Sequence, residues 1–239
     1  MFETNKVTPV NKNSTRKEAP SQGYPQVKIC GLTRVGQAVA CVDAGAAAIG
    51  FVFFRKSPRN VSTQKARTIA EELPRGIARV GVFVDEPYDF IMQRVTACGL
   101  TCVQLHGTET PELVMQLKSA GVRVIKSLFS NHHPNLLEAD RFGADAYLAE
   151  CGTGPLPGGN AKAWNYADAR NLRKSHPLIL AGGLSSGNVS HAIQSACPDA
   201  VDVSSGVEAC PGIKDIGLVI QFIQAVLSNK HNNPLRRIF

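Results

Sequence analysis

The chain repeats one pattern eight times: a short apolar run that ends in a polar or glycine cluster, followed by a segment of helical character. The runs cover residues 26–30, 48–53, 79–84, 101–105, 123–127, 145–149, 177–181 and 200–204. Successive runs begin roughly 20 to 30 residues apart, which is the length of one strand plus one helix, and a continuous apolar run is typical of a strand buried on both faces. Eight such units within about 200 residues predict a single-domain TIM (β/α)8 barrel of the α/β class.

The termini differ in composition from this repeat. Residues 1–25 are rich in Asn, Thr, Ser, Lys and Pro and have scarcely any apolar residues, so we expect a disordered leader. We place the barrel at 26–228 and a basic tail at 229–239. The leader lacks the apolar core of a signal peptide, and no apolar run is long enough to span a bilayer. The sequence therefore predicts a protein without membrane association.

The charge distribution bears on the class of partner. The formal net charge is +7, of which the first 25 residues contribute +2 and the tail +3, which leaves +2 for the barrel. A nucleic-acid-binding domain would be expected to carry a strongly basic face. The small positive net charge of the barrel favours a small anionic substrate and argues against a nucleic-acid partner.

The seven cysteines are odd in number, scattered and free of CxxC pairs. That pattern is typical of a reduced, cytoplasmic chain rather than of a disulfide framework or a zinc site. We expect no metal.

Three hydroxyl residues have the position of helix N-caps. Thr33 precedes one helical segment, Ser62 another, and Thr110 stands before Pro111 at the first turn of a third. Each is expected to cap its helix. A Gly- and Pro-rich stretch at 151–162 predicts a long loop after the sixth strand, and loops of that length in a compact domain are often lids.

TIM barrels carry out their chemistry where strands end, so the polar residues that close the runs become site candidates. Cys30 closes the first run; it is either a partly exposed thiol whose pKa a cation or helix N-terminus lowers, or a small buried hydrophobic residue. Arg59 lies in a cationic loop that either holds a carboxylate or is a solvated turn. His106 either orients substrate or bonds a neighbouring carbonyl.

Glycine-rich turns follow runs seven and eight. Gly182 and Gly183 let backbone N–H groups approach an anion, and Ser204, Ser205 and Gly206 open a short helix whose N-terminus presents more of them. The loops after strands seven and eight often bind phosphate in TIM barrels. A phosphorylated small-molecule substrate is therefore predicted.

Several of these segments resemble phosphoribosylanthranilate isomerase of tryptophan biosynthesis. The resemblance covers about residues 26–227, in the order and spacing of that family. It rests on five motifs: Lys28-Ile29-Cys30-Gly31; Gly50-Phe51-Val52-Phe53 with Lys56-Ser57-Pro58-Arg59; Val80-Gly81-Val82-Phe83-Val84; Val103-Gln104-Leu105-His106-Gly107; and Val201-Asp202-Val203-Ser204-Ser205-Gly206-Val207-Glu208.

The resemblance implies an isomerase that performs an Amadori rearrangement without cofactor or metal. It implies that Cys30 is the general base, that Arg59 holds the anthranilate carboxylate, and that the two glycine-rich loops grip the phosphate. The acid of the family is an aspartate that ends strand six, and Glu150 stands at that position here. His106 and Asp202 complete the expected substrate-binding set.

The reaction needs one acid, to protonate the furanose ring oxygen, and one base, to remove the proton from C2. Asp202 or water is the alternative to Glu150 as the acid. Two other functions stay open at this point: a related phosphosugar enzyme with another substrate, and a phosphate-binding barrel that has lost catalysis. The sequence is compatible with a monomer or a homodimer.

Overall fold

The computed structural model describes residues 23–152, 162–231 and 234–239. Residues 1–22, which make up most of the predicted leader, and 153–161, which make up most of the predicted lid, lie outside the described residues, as do 232 and 233.

Eight parallel strands close into a barrel, which confirms the predicted fold. The strands are β1 Gln26–Cys30, β2 Ala48–Val52, β3 Ala78–Phe83, β4 Cys102–Leu105, β5 Arg123–Phe129, β6 Ala146–Glu150, β7 Leu178–Leu180 and β8 Ala200–Val203. Each strand pairs with the next one along the chain, and β8 returns to pair with β1. All eight carboxyl ends therefore open at one mouth.

Helices cover the outside of the barrel. They are α1 Val35–Asp43, α2 Thr63–Glu72, α3 Tyr88–Cys98, α4 Pro111–Ser119, α5 Arg170–Ser175, α6 Val189–Ala196 and α7 Ile216–Leu227. After β5 a short 3-10 helix, Leu136–Arg141, takes the place of an α-helix. A small antiparallel hairpin, β9 Glu208–Cys210 and β10 Ile213–Lys214, stands between β8 and α7 at the mouth.

The predicted helix caps are correct at two positions of three. The hydroxyls of Ser62 and Thr110 accept hydrogen bonds from N–H groups in the first turns of α2 and α4. The prediction for Thr33 is wrong, because its Oγ1 donates to the carbonyl of Gly212 at 2.6 Å instead. Thr33 thus ties the loop after β1 to the hairpin, and α1 begins without a side-chain cap.

The bottom of the barrel is closed by residues of the segment predicted as a basic tail. Ile238 and Phe239 are buried in one apolar cluster with barrel residues such as Ile125 and Leu148. The side-chain oxygen of Gln26 accepts hydrogen bonds from the N–H groups of both tail residues. The mouth at the opposite end is therefore the open face of the barrel.

Two further observations concern the described residues as a whole. Their helices include none long and apolar enough to cross a membrane. No disulfide joins the seven cysteines, all of which lie within the described segments.

Candidate active site

A cavity opens at the carboxyl ends of the strands. Its walls combine a thiol, a carboxyl group, an imidazole, a guanidinium group and two glycine-containing loops. The lining residues are Cys30, Val52, Phe54, Ser57, Arg59, Val82, Val84, Gln104, His106, Glu150, Cys151, Lys162, Ala181, Gly182, Gly183, Leu184, Asp202, Val203, Ser204 and Ser205. Nine of the ten residues predicted for the site are among them, and the tenth, Gly206, follows directly in the chain.

Cys30 is the last residue of β1 and is held from two sides. Its neighbour on β2 is Gly50, where a Cβ atom would stand 2.8 Å from the Cys30 sulfur, so only glycine leaves room for the thiol. On the other side, the Ser204 hydroxyl donates to the Cys30 carbonyl at 3.0 Å. The sulfur is therefore fixed in the cavity wall.

The surroundings of the thiol differ from the sequence-based expectation. Cys30 is only 7% exposed, so of the two alternatives the partly exposed thiol is wrong. Burial raises the pKa of the Cys30 thiol, the charge of Asp202 raises it further, and together they outweigh the opposing effects of Lys28 and Lys214, so the alternative of a lowered pKa is wrong as well. The two lysines nevertheless reduce the cost of forming a thiolate at this place.

Lys28 lies inside the barrel, two residues before Cys30 on the same strand. Its ammonium group is completely buried and donates to Asp202 of β8 at 3.0 Å. Burial alone would lower the pKa of Lys28, but the Asp202 carboxylate reverses this, and the pKa is raised. A charged lysine therefore stays beneath the thiol.

Glu150 ends β6 across the barrel from Cys30, and its carboxyl group contacts an imidazole. The Oε1 atom of Glu150 is 3.1 Å from Nε2 of His106, and both side chains are 9% exposed. The other ring nitrogen, Nδ1, lies 2.7 Å from the Ser127 hydroxyl and 2.8 Å from the Gln104 amide nitrogen. The ring therefore bonds to side chains, and the alternative of a neighbouring carbonyl partner for it is wrong.

Arg59 reaches the cavity from the loop after β2. Its Nε and Nη2 atoms donate to the two carboxylate oxygens of Glu208 at 2.9 and 2.8 Å. Lys214 donates to the same carboxylate at 2.7 Å. Gly31 makes this arrangement possible, because a Cβ at that position would lie 2.6 Å from Cδ of Arg59 and its φ is +80°.

Burial would raise the pKa of the Glu208 carboxyl, but hydrogen bonds from Arg59 and the charge of Lys214 hold it below its ordinary value. The guanidinium group is therefore clamped to a carboxylate that stays ionised, rather than exposed in a solvated turn. Arg59 is 7% exposed, so the alternative of a solvated turn is wrong for this residue, while its contact with a substrate carboxylate stays a prediction.

The loops after β7 and β8 meet at the edge of the cavity. Gly206 packs so closely on the first loop that a Cβ there would lie 1.9 Å from the Leu184 carbonyl oxygen. Gly182 and Gly183 both have positive φ, +86° and +65°, which favours glycine. The two glycine-rich turns therefore lie side by side.

Side chains outside the predicted set fix the first of these loops. Trp164, Tyr166 and Asn188 donate to the carbonyls of three successive residues, at 2.9, 3.0 and 2.8 Å. Their acceptors are the carbonyls of Ala181, Gly182 and Gly183. No local pattern marks these donors, because Trp164 and Tyr166 reach the loop from the segment before α5 and Asn188 from the start of α6.

Lys28, Gln104, Ser127, Glu208 and Lys214 were also not assigned a role. Three of them, Lys28, Gln104 and Ser127, lie within predicted strands, and Glu208 and Lys214 follow the eighth strand. The alternation of strand side chains could have marked Lys28 and Gln104 as inward-facing, since each stands two residues before a site candidate, Cys30 or His106.

Among the described residues, no group of three or more His, Cys, Asp or Glu side chains could hold a metal ion.

Known proteins resemble this chain over most of its length. Residues 27–225 match the family model of N-(5'-phosphoribosyl)anthranilate isomerase. A relative of that name from Desulfatibacillum aliphaticivorans is 47% identical over 214 residues, which cover 90% of this chain and 98% of the relative. One from Pelobacter propionicus is 41% identical, over 83% of this chain and 94% of the relative.

Solved structures give the same result. Phosphoribosylanthranilate isomerase from Thermotoga maritima superimposes with a TM-score of 0.79 at 38% identity, covering 85% of this chain and 99% of that one. The structure of such an enzyme with reduced 1-(o-carboxyphenylamino)-1-deoxyribulose 5-phosphate has a TM-score of 0.77 at 36% identity, with the same coverage. The chain therefore belongs to the N-(5'-phosphoribosyl)anthranilate isomerase family.

Proposed function

We propose that this chain converts N-(5'-phosphoribosyl)anthranilate to 1-(2-carboxyphenylamino)-1-deoxyribulose 5-phosphate, the isomerisation step of tryptophan biosynthesis. One observation carries the proposal: a thiol and a carboxyl group, on β1 and β6, line one cavity whose rim also holds a clamped guanidinium group and two glycine-containing loops. The reaction needs an acid, a base, a carboxylate site and a phosphate site, and this cavity offers a candidate for each.

Glu150 is the proposed acid. It donates a proton to the furanose ring oxygen, the bond from C1 to that oxygen breaks, and the anilino nitrogen forms a C=N bond with C1. The resulting Schiff base carries a positive charge. The His106 ring at 3.1 Å then helps to stabilise the carboxylate that Glu150 becomes.

Cys30 is the proposed base for the second step, removal of the C2 proton. In the free protein burial raises the pKa of this thiol, so the thiolate has to form against that cost. The cationic Schiff base places a third positive charge beside the thiol, in addition to those of Lys28 and Lys214, and it also acidifies the C2 proton. Ring opening thereby favours loss of the thiol proton to water; the thiolate then takes the C2 proton, and the resulting enolamine tautomerises to the ketone.

Arg59 is the proposed partner of the anthranilate carboxylate. Its two hydrogen bonds to Glu208 use two of the five guanidinium N–H donors, which leaves Nη1 and the second hydrogen of Nη2 for a ligand. A carboxylate can accept from these two nitrogens side by side. The Glu208 clamp fixes the plane in which that contact forms.

The loops after β7 and β8 are the proposed phosphate site. In a trans peptide unit the C=O and N–H bonds point in opposite directions. Because Trp164, Tyr166 and Asn188 hold the three loop carbonyls on one side, the N–H groups of the following residues, up to Leu184, are turned to the other. Rigid N–H groups with Ser204, Ser205 and Gly206 opposite them form a cradle that suits a dianion.

The relative bound to a reduced deoxyribulose 5-phosphate supports a phosphorylated small-molecule ligand, and a Thermotoga maritima relative is described as dimeric. We propose that this chain also binds a phosphorylated small molecule. We further propose that it works in the cytoplasm as a monomer or a homodimer.

Replacement of the thiol tests the function and the base together. Cys30→Ser keeps a hydroxyl of similar size but not an ionisable thiol, so we expect kcat to fall by about 10² to 10⁴ with KM little changed. The assay follows loss of the fluorescence of phosphoribosylanthranilate. Cys197→Ser, at the end of α6, is the matched control and should retain full activity. A wild-type protein that does not consume this substrate would refute the function; an active Cys30→Ser variant would refute only the base.

The pH profile of kcat/KM reports the ionisation of the free protein. Because burial raises the pKa of Cys30, kcat/KM should still be rising above pH ~8.5, the usual value for a thiol. Lys214→Met removes a cation that favours the thiolate, so the rising limb should move to higher pH, with kcat/KM at pH 7 lower by roughly tenfold per pKa unit. Lys65→Met, on the exposed face of α2, should leave the limb in place. If neither variant moves the rising limb, the limb does not report the ionisation of the Cys30 thiol.

The acid is tested by changing the charge and the length of Glu150 separately. Glu150→Gln should lower kcat by about 10² to 10⁴, because the amide cannot donate the proton, while Glu150→Asp keeps the acid and should lose much less. Glu72→Gln on α2 is the control. Measuring Asp202→Asn in parallel identifies the alternative: a fully active Glu150→Gln variant beside an inactive Asp202→Asn variant would transfer the acid role to Asp202.

A further inference from the structure

Gln104 is a buried polar side chain that the proposed reaction does not use. It stands within β4, faces the barrel interior and is 1% exposed. Its amide nitrogen lies 2.8 Å from Nδ1 of His106. Its amide oxygen is buried and has no hydrogen-bond partner among the described residues.

The chemistry of these atoms fixes the position of a proton. In the orientation that the structure gives this amide, its nitrogen faces Nδ1 of His106 and can only donate, so Nδ1 offers its lone pair to Gln104. In a neutral ring the hydrogen is then on Nε2, and this N–H points at Oε1 of Glu150, 3.1 Å away. The Ser127 hydroxyl, 2.7 Å from Nδ1, can rotate to donate to the same lone pair and so agrees with this tautomer.

We propose that Gln104 is a positioning residue for the acid: it holds neutral His106 as the Nε2–H tautomer, so that Glu150 always receives a hydrogen bond on Oε1 and directs Oε2 at the substrate. The inference rests on the proposed function, in which Glu150 is the acid. It also accounts for a buried glutamine with an unpaired oxygen, since an apolar side chain would avoid that cost but could not orient the ring.

The consequence for the reaction lies in the charge that Glu150 acquires. When the proton leaves Oε2 for the ring oxygen and the C–O bond breaks, the carboxylate becomes negative. In the Nε2–H tautomer a fixed N–H faces that charge throughout, and His106 neither gains nor loses a proton. In the opposite tautomer a nitrogen lone pair would face the carboxylate and repel it. The Phe129 ring packs edge-on against the His106 ring, with 5.7 Å between the ring centroids, and so restricts its tilt.

The test combines kinetics with NMR of the His106 ring nitrogens, assigned by comparison with a His106→Asn variant. In the wild-type protein we expect the neutral ring to carry its hydrogen on Nε2. In Gln104→Leu, Ser127 alone remains at Nδ1 and can also accept, so part of the population should shift to Nδ1–H. We expect kcat to fall roughly tenfold, the effect of one hydrogen bond, with KM within about twofold. Gln116→Leu, on the exposed face of α4, should change neither.

Three results would overturn the inference: a wild-type ring protonated on Nδ1, a Gln104→Leu variant with unchanged kcat, or one whose kcat falls while the tautomer stays as it was. The wild-type NMR measurement can be made even if no Gln104 variant folds. It also needs no turnover. A protein that fails to isomerise phosphoribosylanthranilate would therefore refute the proposed function, and the tautomer could still be determined.

Discussion

The site depends on how the barrel closes between β1 and β8. In that pairing Lys28 stands directly opposite Asp202, and the buried ammonium group bonds the carboxylate at 3.0 Å. A completely buried lysine without such a partner would be strongly destabilising, so this register is specified by charge as well as by backbone hydrogen bonds. The same register places Cys30 beside Ser204, which joins the proposed base to the proposed phosphate loop.

Paired charges recur around the cavity. Lys214 and Arg59 share the Glu208 carboxylate, and on the outer side of β5 the ammonium group of Lys126 bonds Glu109 at 2.8 Å. Buried ion pairs add little net stability, because desolvation offsets most of the attraction. Their value here is positional: each joins groups from different loops at one place, and Lys126 also donates to the Gly107 carbonyl directly after His106.

The thiol shows what this arrangement achieves. Burial and, to a lesser degree, the charge of Asp202 oppose a charge on Cys30, two lysines favour it, and burial is the strongest effect in the free protein. A base that stays protonated until a cationic intermediate forms would be protected from oxidation and alkylation while the site is empty, because the thiolate is the reactive form. The pairing of a neutral thiol with a substrate that supplies its own positive charge fits an Amadori rearrangement.

The sequence predicted the parts of the structure that depend on local pattern and on strand order. Eight apolar runs correspond to eight strands, and residues at or just after the ends of all but the fifth line one cavity, because a parallel barrel brings the carboxyl ends together. Contacts between distant segments could not be read in the same way. Thr33 bonds a hairpin 179 residues away instead of capping α1, and Arg59 meets Glu208 across 149 residues. The pKa direction of Cys30 likewise depended on burial, which the position of a cysteine in a sequence does not give.

The arrangement of acid, base, carboxylate site and phosphate site around one ligand is the central claim, and a crystal structure with reduced 1-(o-carboxyphenylamino)-1-deoxyribulose 5-phosphate tests it most directly. The account predicts the ligand carboxylate on the outer nitrogens of Arg59, the phosphate between Gly183 and Ser205, and the C2 carbon about 3.5 Å from the Cys30 sulfur, within reach for proton transfer. A ligand bound in the reverse direction, with its phosphate at Arg59 and C2 far from the thiol, would contradict it.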